Sequence, residues 1–263
     1  MKPLHLLAAP ILLGLALNLN AQDAPKKDAP KPDAPKPAVK LPPQPADVAA
    51  PKLDGATGKP QGGFMNAHTN FVKIAKEGKA ELVFLGDSIT AGWNGQKAIW
   101  EKSFAQYKPA NFGISGDRTQ HVLWRVENGE FDGIKPKAVV LMIGTNNSGA
   151  AENSAAEVAA GIRNIVAAIH KRSADTKVLL LGIFPRGAGE ANNPGRAKNK
   201  AVNAIISKLD DGKKIHYLDI GGKFLEPDGT LTKEIMPDLL HLNAKSYQIW
   251  ADAIAPKLAE LMK

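Results

Sequence analysis

The sequence predicts an α/β fold: a three-layer α/β/α domain, doubly wound about a mainly parallel five-stranded sheet. Two observations lead there. From residue 63 onward, apolar blocks rich in Val, Ile and Leu alternate with longer amphipathic stretches, the order expected of strand–helix–strand units. Several of these blocks are continuous rather than alternating polar and apolar, as parallel strands covered on both faces should be.

The elements follow in chain order. A leading helix is expected over Asn66–Glu77. Strands are expected at Leu82–Leu85, Ala110–Ile114, Ala138–Ile143, Val178–Ile183 and Ile215–Leu218. Helices are expected between and after them, at Ala98–Gln106, Thr119–Glu127, Ala155–Lys171, Gly195–Leu209 and Ala244–Met262. Asn243 stands where its side chain can cap the last helix. Residues 61–263 read as one domain, with no internal repeat and no sign of a second domain.

The first sixty residues have a different character. Lys2 and His5 precede an apolar run from Leu6 to Leu17, and Leu19-Asn20-Ala21 ends in a small residue. This predicts a secretory signal peptide over residues 1–21, with a run too short for the roughly 20 residues of a spanning helix. No stable membrane span is expected once it is removed, and a secreted or periplasmic location follows. In residues 22–60 Asp-Ala-Pro-Lys recurs at Asp23, Asp28 and Asp33. Proline removes donors and alanine offers little to bury, so a disordered, semi-rigid tether is expected there. The chain has no cysteine, hence no disulfides, which an exported protein permits but does not require.

The formal net charge is +8, with 44% hydrophobic and 23% charged residues. The cationic excess is scattered, without a Lys/Arg run interleaved with aromatics, so nucleic acid is not an expected partner. No His-x-x-x-His or His-Glu-x-x-His pattern is present, and no metal or organic cofactor is expected.

The chemistry lies in four segments that follow strands. These are Gly86-Asp87-Ser88, Asn111-Phe112-Gly113-Ile114-Ser115-Gly116-Asp117, Gly144-Thr145-Asn146-Asn147 and Asp238-Leu239-Leu240-His241. Ligands in open α/β sheets bind outside the carboxyl ends of the strands, where such segments converge. Each block alone also describes an ordinary turn. No Gly-x-Ser-x-Gly elbow surrounds Ser88, which argues against the α/β-hydrolase fold.

Together, in this order and spacing over residues 80–263, the four blocks resemble the SGNH, or GDSL, hydrolase family, whose sheet is flavodoxin-like. Within it, Asn111–Glu130, with His121-Val-Leu-Trp-Arg125 and Glu127-Asn-Gly129, resembles the catalytic alpha subunits of intracellular platelet-activating-factor acetylhydrolase, and the Pro185-Arg186-Gly187 turn fits that branch. The signal peptide and tether depart from it. The resemblance implies Ser88 as nucleophile, His241 as general base and Asp238 as the group that orients it. It implies an oxyanion hole made by the backbone N–H groups of Ser88 and Gly116 and the side-chain amide of Asn146. It also implies a small acyl group.

Ile89, Thr145 and Leu240, next to these residues, are expected to wall a shallow apolar pocket. Asp87 is expected to serve the turn. Asp117 and Arg118 are expected either to touch substrate or to form a solvated charge pair. His121 is expected to pack on its helix, Trp100 and Trp124 in the core, and Trp93 and Asn94 at the cleft rim. The expected activity is hydrolysis of a short acyl ester, on an O-acetylated glycan or a phospholipid. A transferase moving acetyl groups onto glycans and a non-catalytic binding module remain as alternatives. Monomer and homodimer are both open.

Overall fold

The computed structural model describes residues 39–149, 153–191 and 193–263. Five parallel strands, β1 (Leu82–Gly86), β2 (Pro109–Gly113), β3 (Ala138–Met142), β4 (Lys177–Leu181) and β5 (Ile215–Leu218), stand in the order β2-β1-β3-β4-β5. The expected three-layer α/β domain is therefore present. The order reverses between β1 and β3. That crevice is where doubly wound sheets hold ligands.

The helices are α1 (Gly62–Glu77), α2 (Ser88–Ala91), α3 (Lys97–Phe104), α4 (Thr119–Arg125), α5 (Thr145–Ser148), α6 (Ala155–Arg172), α7 (Pro194–Ile206) and α8 (Ala244–Leu261). The two-residue period of the strands divides their side chains between two apolar layers. Val83, Leu85, Val139, Leu141, Val178 and Leu180 pack beneath α1, α4, α6 and α7. Leu82, Phe84, Val140, Met142, Leu179 and Leu181 face α3 and α8. Burying each of these side chains stabilises the fold by roughly 1.5–3 kcal/mol.

Helix ends carry their own sequence signals. Ser154 and Glu157 form a reciprocal capping box at the start of α6, and Asn243 accepts the Ser246 N–H at the start of α8. The expected helix Thr119–Glu127 stops earlier, at Arg125. The chain then widens through Val126–Glu130, where Gly129 adopts φ +109°, a conformation that favours glycine. The one-turn helices α2 and α5 were not anticipated; both begin in the strand-following segments.

The expected signal peptide and residues 22–38 of the expected tether lie outside the described residues. Residues 39–60 correct the tether. They form a strap on the domain surface, so the folded unit begins by residue 39 rather than 61. Ala46 is completely buried, and its carbonyl accepts the Thr119 hydroxyl at 2.6 Å. The Gln44 carbonyl accepts from Gln120 Nε2 at 3.1 Å, and the Asp47 carbonyl from Asn164 Nδ2 at 2.9 Å. Leu53 and Pro60 bridge antiparallel. Each proline removes a backbone donor from the segment, but every residue keeps a carbonyl acceptor. Side chains of α4 and α6 use those acceptors to satisfy their own buried polar groups.

Candidate active site

Ser88 stands at the carboxyl end of β1, as the first residue of α2. Asp87 precedes it, and its Oδ1 accepts the Ile89 N–H at 2.9 Å, closing the turn as expected. Asp87 is fully buried. Burial pushes its carboxyl up to about 7; the Ile89 N–H and nearby His241 work against the shift, while Asp117 adds to it.

The turn between Thr232 and α8 brings His241 to Ser88. Ser88 Oγ lies 2.9 Å from His241 Nε2. His241 Nδ1 lies 2.6 Å from Asp238 Oδ2, and Asp238 Oδ1 accepts the backbone N–H groups of Leu240 at 3.0 Å and His241 at 2.7 Å. A carboxylate only accepts, so Nδ1 carries the proton and the Nε2 lone pair meets the serine hydroxyl. Partial burial raises the Asp238 carboxyl, but the hydrogen bonds from the His241 ring and backbone outweigh it and hold the group below its ordinary value. Within this turn Leu239 adopts φ +59°, unusual for a branched side chain. Its carbonyl accepts the Gly187 N–H at 2.8 Å. Arg186 next door donates to the Thr145 carbonyl at 2.8 Å. The Pro185-Arg186-Gly187 turn thus ties the histidine turn to α5.

The expected oxyanion donors come from the ends of three adjacent strands. Ser88 follows β1, Gly116 follows β2 and Asn146 follows β3. Gly116 adopts φ +73° in an exposed turn. Asn146 Nδ2 donates to the Asp117 carbonyl at 2.8 Å, joining α5 to the Gly116 turn; the same amide nitrogen carries a second N–H. Of the expected pocket walls, Ile89 and Thr145 are buried and Leu240 is half-buried, with Ile89 and Leu240 in one apolar layer.

Some expectations are corrected. Trp93 does not lie at the rim: it is 1% exposed and packs against Phe84, Phe104, Tyr247 and Trp250. Asn94 is exposed and accepts from Asn111 Nδ2 at 3.0 Å. Trp100, half-buried, packs as expected against Phe84, Trp93 and Phe104 of the core, while Trp124 is half-buried against Phe64 and His68. Asp117 is neither a substrate contact nor half of a solvated pair: it is completely buried and paired with Arg125.

Arg125, quoted above only as part of a motif, holds this region together. Its guanidinium, fully buried, is 2.9 Å from Asp117 Oδ2 and 2.5 Å from Glu130 Oε2, and it also donates to the carbonyls of Gly86 and Phe112 at the ends of β1 and β2. His68 completes the row, 3.0 Å from Glu130 Oε1. A buried cation between two carboxylates is a sequence signal only in retrospect, since the three residues carry no local pattern. His121 is buried; its Nδ1 accepts the Arg118 N–H at 3.1 Å, and Nε2 faces Gln44 Oε1 at 3.3 Å. Burial, with the charges of Lys52, Arg118 and Arg125, pushes its pKa down to about 3.

A model of the GDSL-like lipase/acylhydrolase family matches residues 84–249. The chain belongs to this family. It is 40% identical over 202 residues to the platelet-activating factor acetylhydrolase IB subunit alpha1 of Bos taurus, covering 76% of this chain and 84% of that one. A GDSL-like lipase from Bacteroides thetaiotaomicron superimposes with a TM-score of 0.59 at 19% identity, covering 73% and 97% of the two chains. An acetylxylan esterase from Geobacillus stearothermophilus gives 0.53 at 19%, covering 71% and 96%. As a GDSL acylhydrolase, this protein is a carboxylic ester hydrolase. Among the described residues no helix is long and apolar enough to cross a membrane. A cavity of about 640 Å³ between α7 and β5 contains none of Ser88, Asp238 or His241 in its lining.

Proposed function

We propose that this protein is an exported serine esterase that hydrolyses short-chain acyl esters, acetyl esters foremost, through an acyl-enzyme intermediate. The observation that carries the reading is the aligned row Ser88–His241–Asp238, at 2.9 and 2.6 Å. Ser88 Oγ attacks the ester carbonyl while its proton passes to His241 Nε2. Asp238, already bound at Nδ1, stabilises the imidazolium. The negative charge that develops on the carbonyl oxygen is met by the N–H groups of Ser88 and Gly116 and by the second N–H of the Asn146 amide. Collapse of the tetrahedral intermediate breaks the bond to the alcohol, which leaves with the proton held by His241. Water then gives its proton to His241, adds to the acyl group, and the carboxylic acid departs as Ser88 regains its proton.

The preference for a short acyl chain is supported by the half-buried Leu240 beside His241, with Ile89 and Thr145 behind the site. The acetylhydrolase name of the bovine relative agrees with it. Hydrolysis rather than transfer is supported by the chain's membership of a lipase/acylhydrolase family. The side chains of His241 and Asp238 are 45% and 55% exposed, which gives water direct access to an acyl-enzyme. Export rests on the leader-like sequence of residues 1–21. An O-acetylated glycan outside the cell is the substrate most consistent with that location.

The test is hydrolysis of p-nitrophenyl acetate, butyrate and octanoate by the purified protein beside Ser88→Ala. Acetate turnover that vanishes in the variant supports the reading. A folded wild-type protein that turns over none of the three would overturn it.

A further inference from the structure

The peptide joining Ser115 to Gly116 matters at both ends. Its N–H is the donor assigned above to Gly116. Its carbonyl, on Ser115, accepts a hydrogen bond from Lys52 Nζ at 2.6 Å. Lys52 belongs to the strap of residues 39–60, the segment whose composition suggested only a spacer. Its ammonium lies over the Gly116 turn so closely that a Cβ on Gly116 would be 2.7 Å from Nζ. The charged groups around it are Asp117, which attracts it, and Arg118 and Arg125, which repel it.

We propose that Lys52 is a positioning residue for catalysis: by binding the Ser115 carbonyl it orients and polarises the Ser115–Gly116 peptide, making the Gly116 N–H a better donor to the oxyanion. The proposal rests on the oxyanion-hole reading given above. A glycine at φ +73° has little intrinsic preference for one peptide orientation over the flipped one. Flipped, the peptide would turn its carbonyl oxygen toward the developing negative charge. A charge-assisted hydrogen bond to that carbonyl opposes the flip. Hydrogen bonds in series also strengthen one another, since charge drawn toward the carbonyl oxygen leaves the N–H more positive. A donor held in place before the reaction costs no reorganisation during it. Burial lowers the lysine pKa, with Arg118 and Arg125 acting in the same direction and Asp117 against it.

The alternative is that Lys52 only fastens the strap. The two are separated by the full-length Lys52→Met, Lys52→Gln, Lys52→Arg and Asn146→Ala variants, assayed with p-nitrophenyl acetate below their melting temperatures. The substrate is neutral, so recognition of an anion by Lys52 does not enter. In Lys52→Met, kcat should fall about tenfold with KM nearly unchanged, a fraction of the 10²–10³-fold loss expected for removing a whole oxyanion donor in Asn146→Ala. Lys52→Arg should recover most of the rate, and Lys52→Gln, a neutral donor, should fall between. Wild-type kcat should also decline at alkaline pH below the ordinary lysine range, and Lys52→Met should lack that decline.

An Asn146→Ala loss with wild-type kcat in Lys52→Met overturns the proposal and leaves the oxyanion hole standing, even if the melting temperature has dropped. Wild-type kcat in Asn146→Ala overturns the oxyanion reading, and the proposal with it. If Lys52→Met does not fold, Lys52→Gln decides: wild-type kcat there overturns the proposal.

Discussion

Asp238 holds His241 twice. One carboxylate oxygen is 2.6 Å from the ring Nδ1, and the other accepts the histidine's own backbone N–H at 2.7 Å. The first contact sets the tautomer; the second shapes the turn that carries the ring. Asparagine in place of Asp238 can keep the turn through its amide oxygen, but it has no charge to balance an imidazolium. Asp238→Asn should therefore lower kcat by about 10⁴-fold while leaving the melting temperature close to that of the wild type. A loss below tenfold in esterase assays would show that His241 works without a charged partner.

Leu240 is the half-buried member of the expected pocket. Truncation to alanine removes apolar bulk without disturbing the backbone bond from its N–H to Asp238. Leu240→Ala should raise kcat/KM for butyrate relative to acetate by roughly 10-fold, the effect of about one or two methylenes of space. An unchanged ratio of the two p-nitrophenyl esters would count against a pocket at this position.

The strap depends on a glycine of α6. A Cβ on Gly161 would lie 2.2 Å from the Ala46 carbonyl oxygen and 2.8 Å from Thr119 Oγ1. Because the first obstacle is backbone, Gly161→Ala should displace the strap and cost about 1–3 kcal/mol, the usual penalty of overpacking. Urea denaturation followed by tryptophan fluorescence measures it. Stability equal to the wild type, or the gain usual for Gly→Ala in a helix, would mean that residues 39–60 do not pack as described.

His121 makes stability depend on pH. Its folded pKa, about 3, is below the unfolded value of roughly 6.5. The unfolded chain binds the proton first, so the stability it contributes is complete above about pH 6.5 and is lost as pH falls toward 3. Asp87 and Asp117, raised to about 7 and about 6, act in the opposite direction, so the comparison must be made against a variant. Glutamine can accept the Arg118 N–H and does not titrate. Between pH 7 and pH 4.5 the wild type should lose about 2 kcal/mol relative to His121→Gln. Parallel stability curves for the two proteins would refute it.

The sheet, its parallel direction and the order of its elements were legible in the sequence, because continuous apolar blocks have few ways to be buried. That Ser88, Asp238 and His241 meet was legible only through the resemblance carried by the four blocks together: Ser88 follows β1, but Asp238 and His241 lie far beyond β5, in the turn before α8. The roles of Lys52 and Arg125 were not legible. Their partners are 63 residues away for Lys52 and at most 39 for Arg125, and neither contact leaves a local pattern. Trp93 failed as a rim residue for a related reason: its place in a loop said nothing of the aromatic layer beneath it. The sequence by itself therefore determined the fold class, which follows from periodicity, and, through the resemblance, the four segments that carry the candidate site. The tertiary structure alone decided that a proline-rich strap is part of the domain, that a buried arginine fastens the strand ends, and that a lysine rests on the Gly116 turn. Those depend on which polar groups folding leaves without water and on which distant partners it brings within reach.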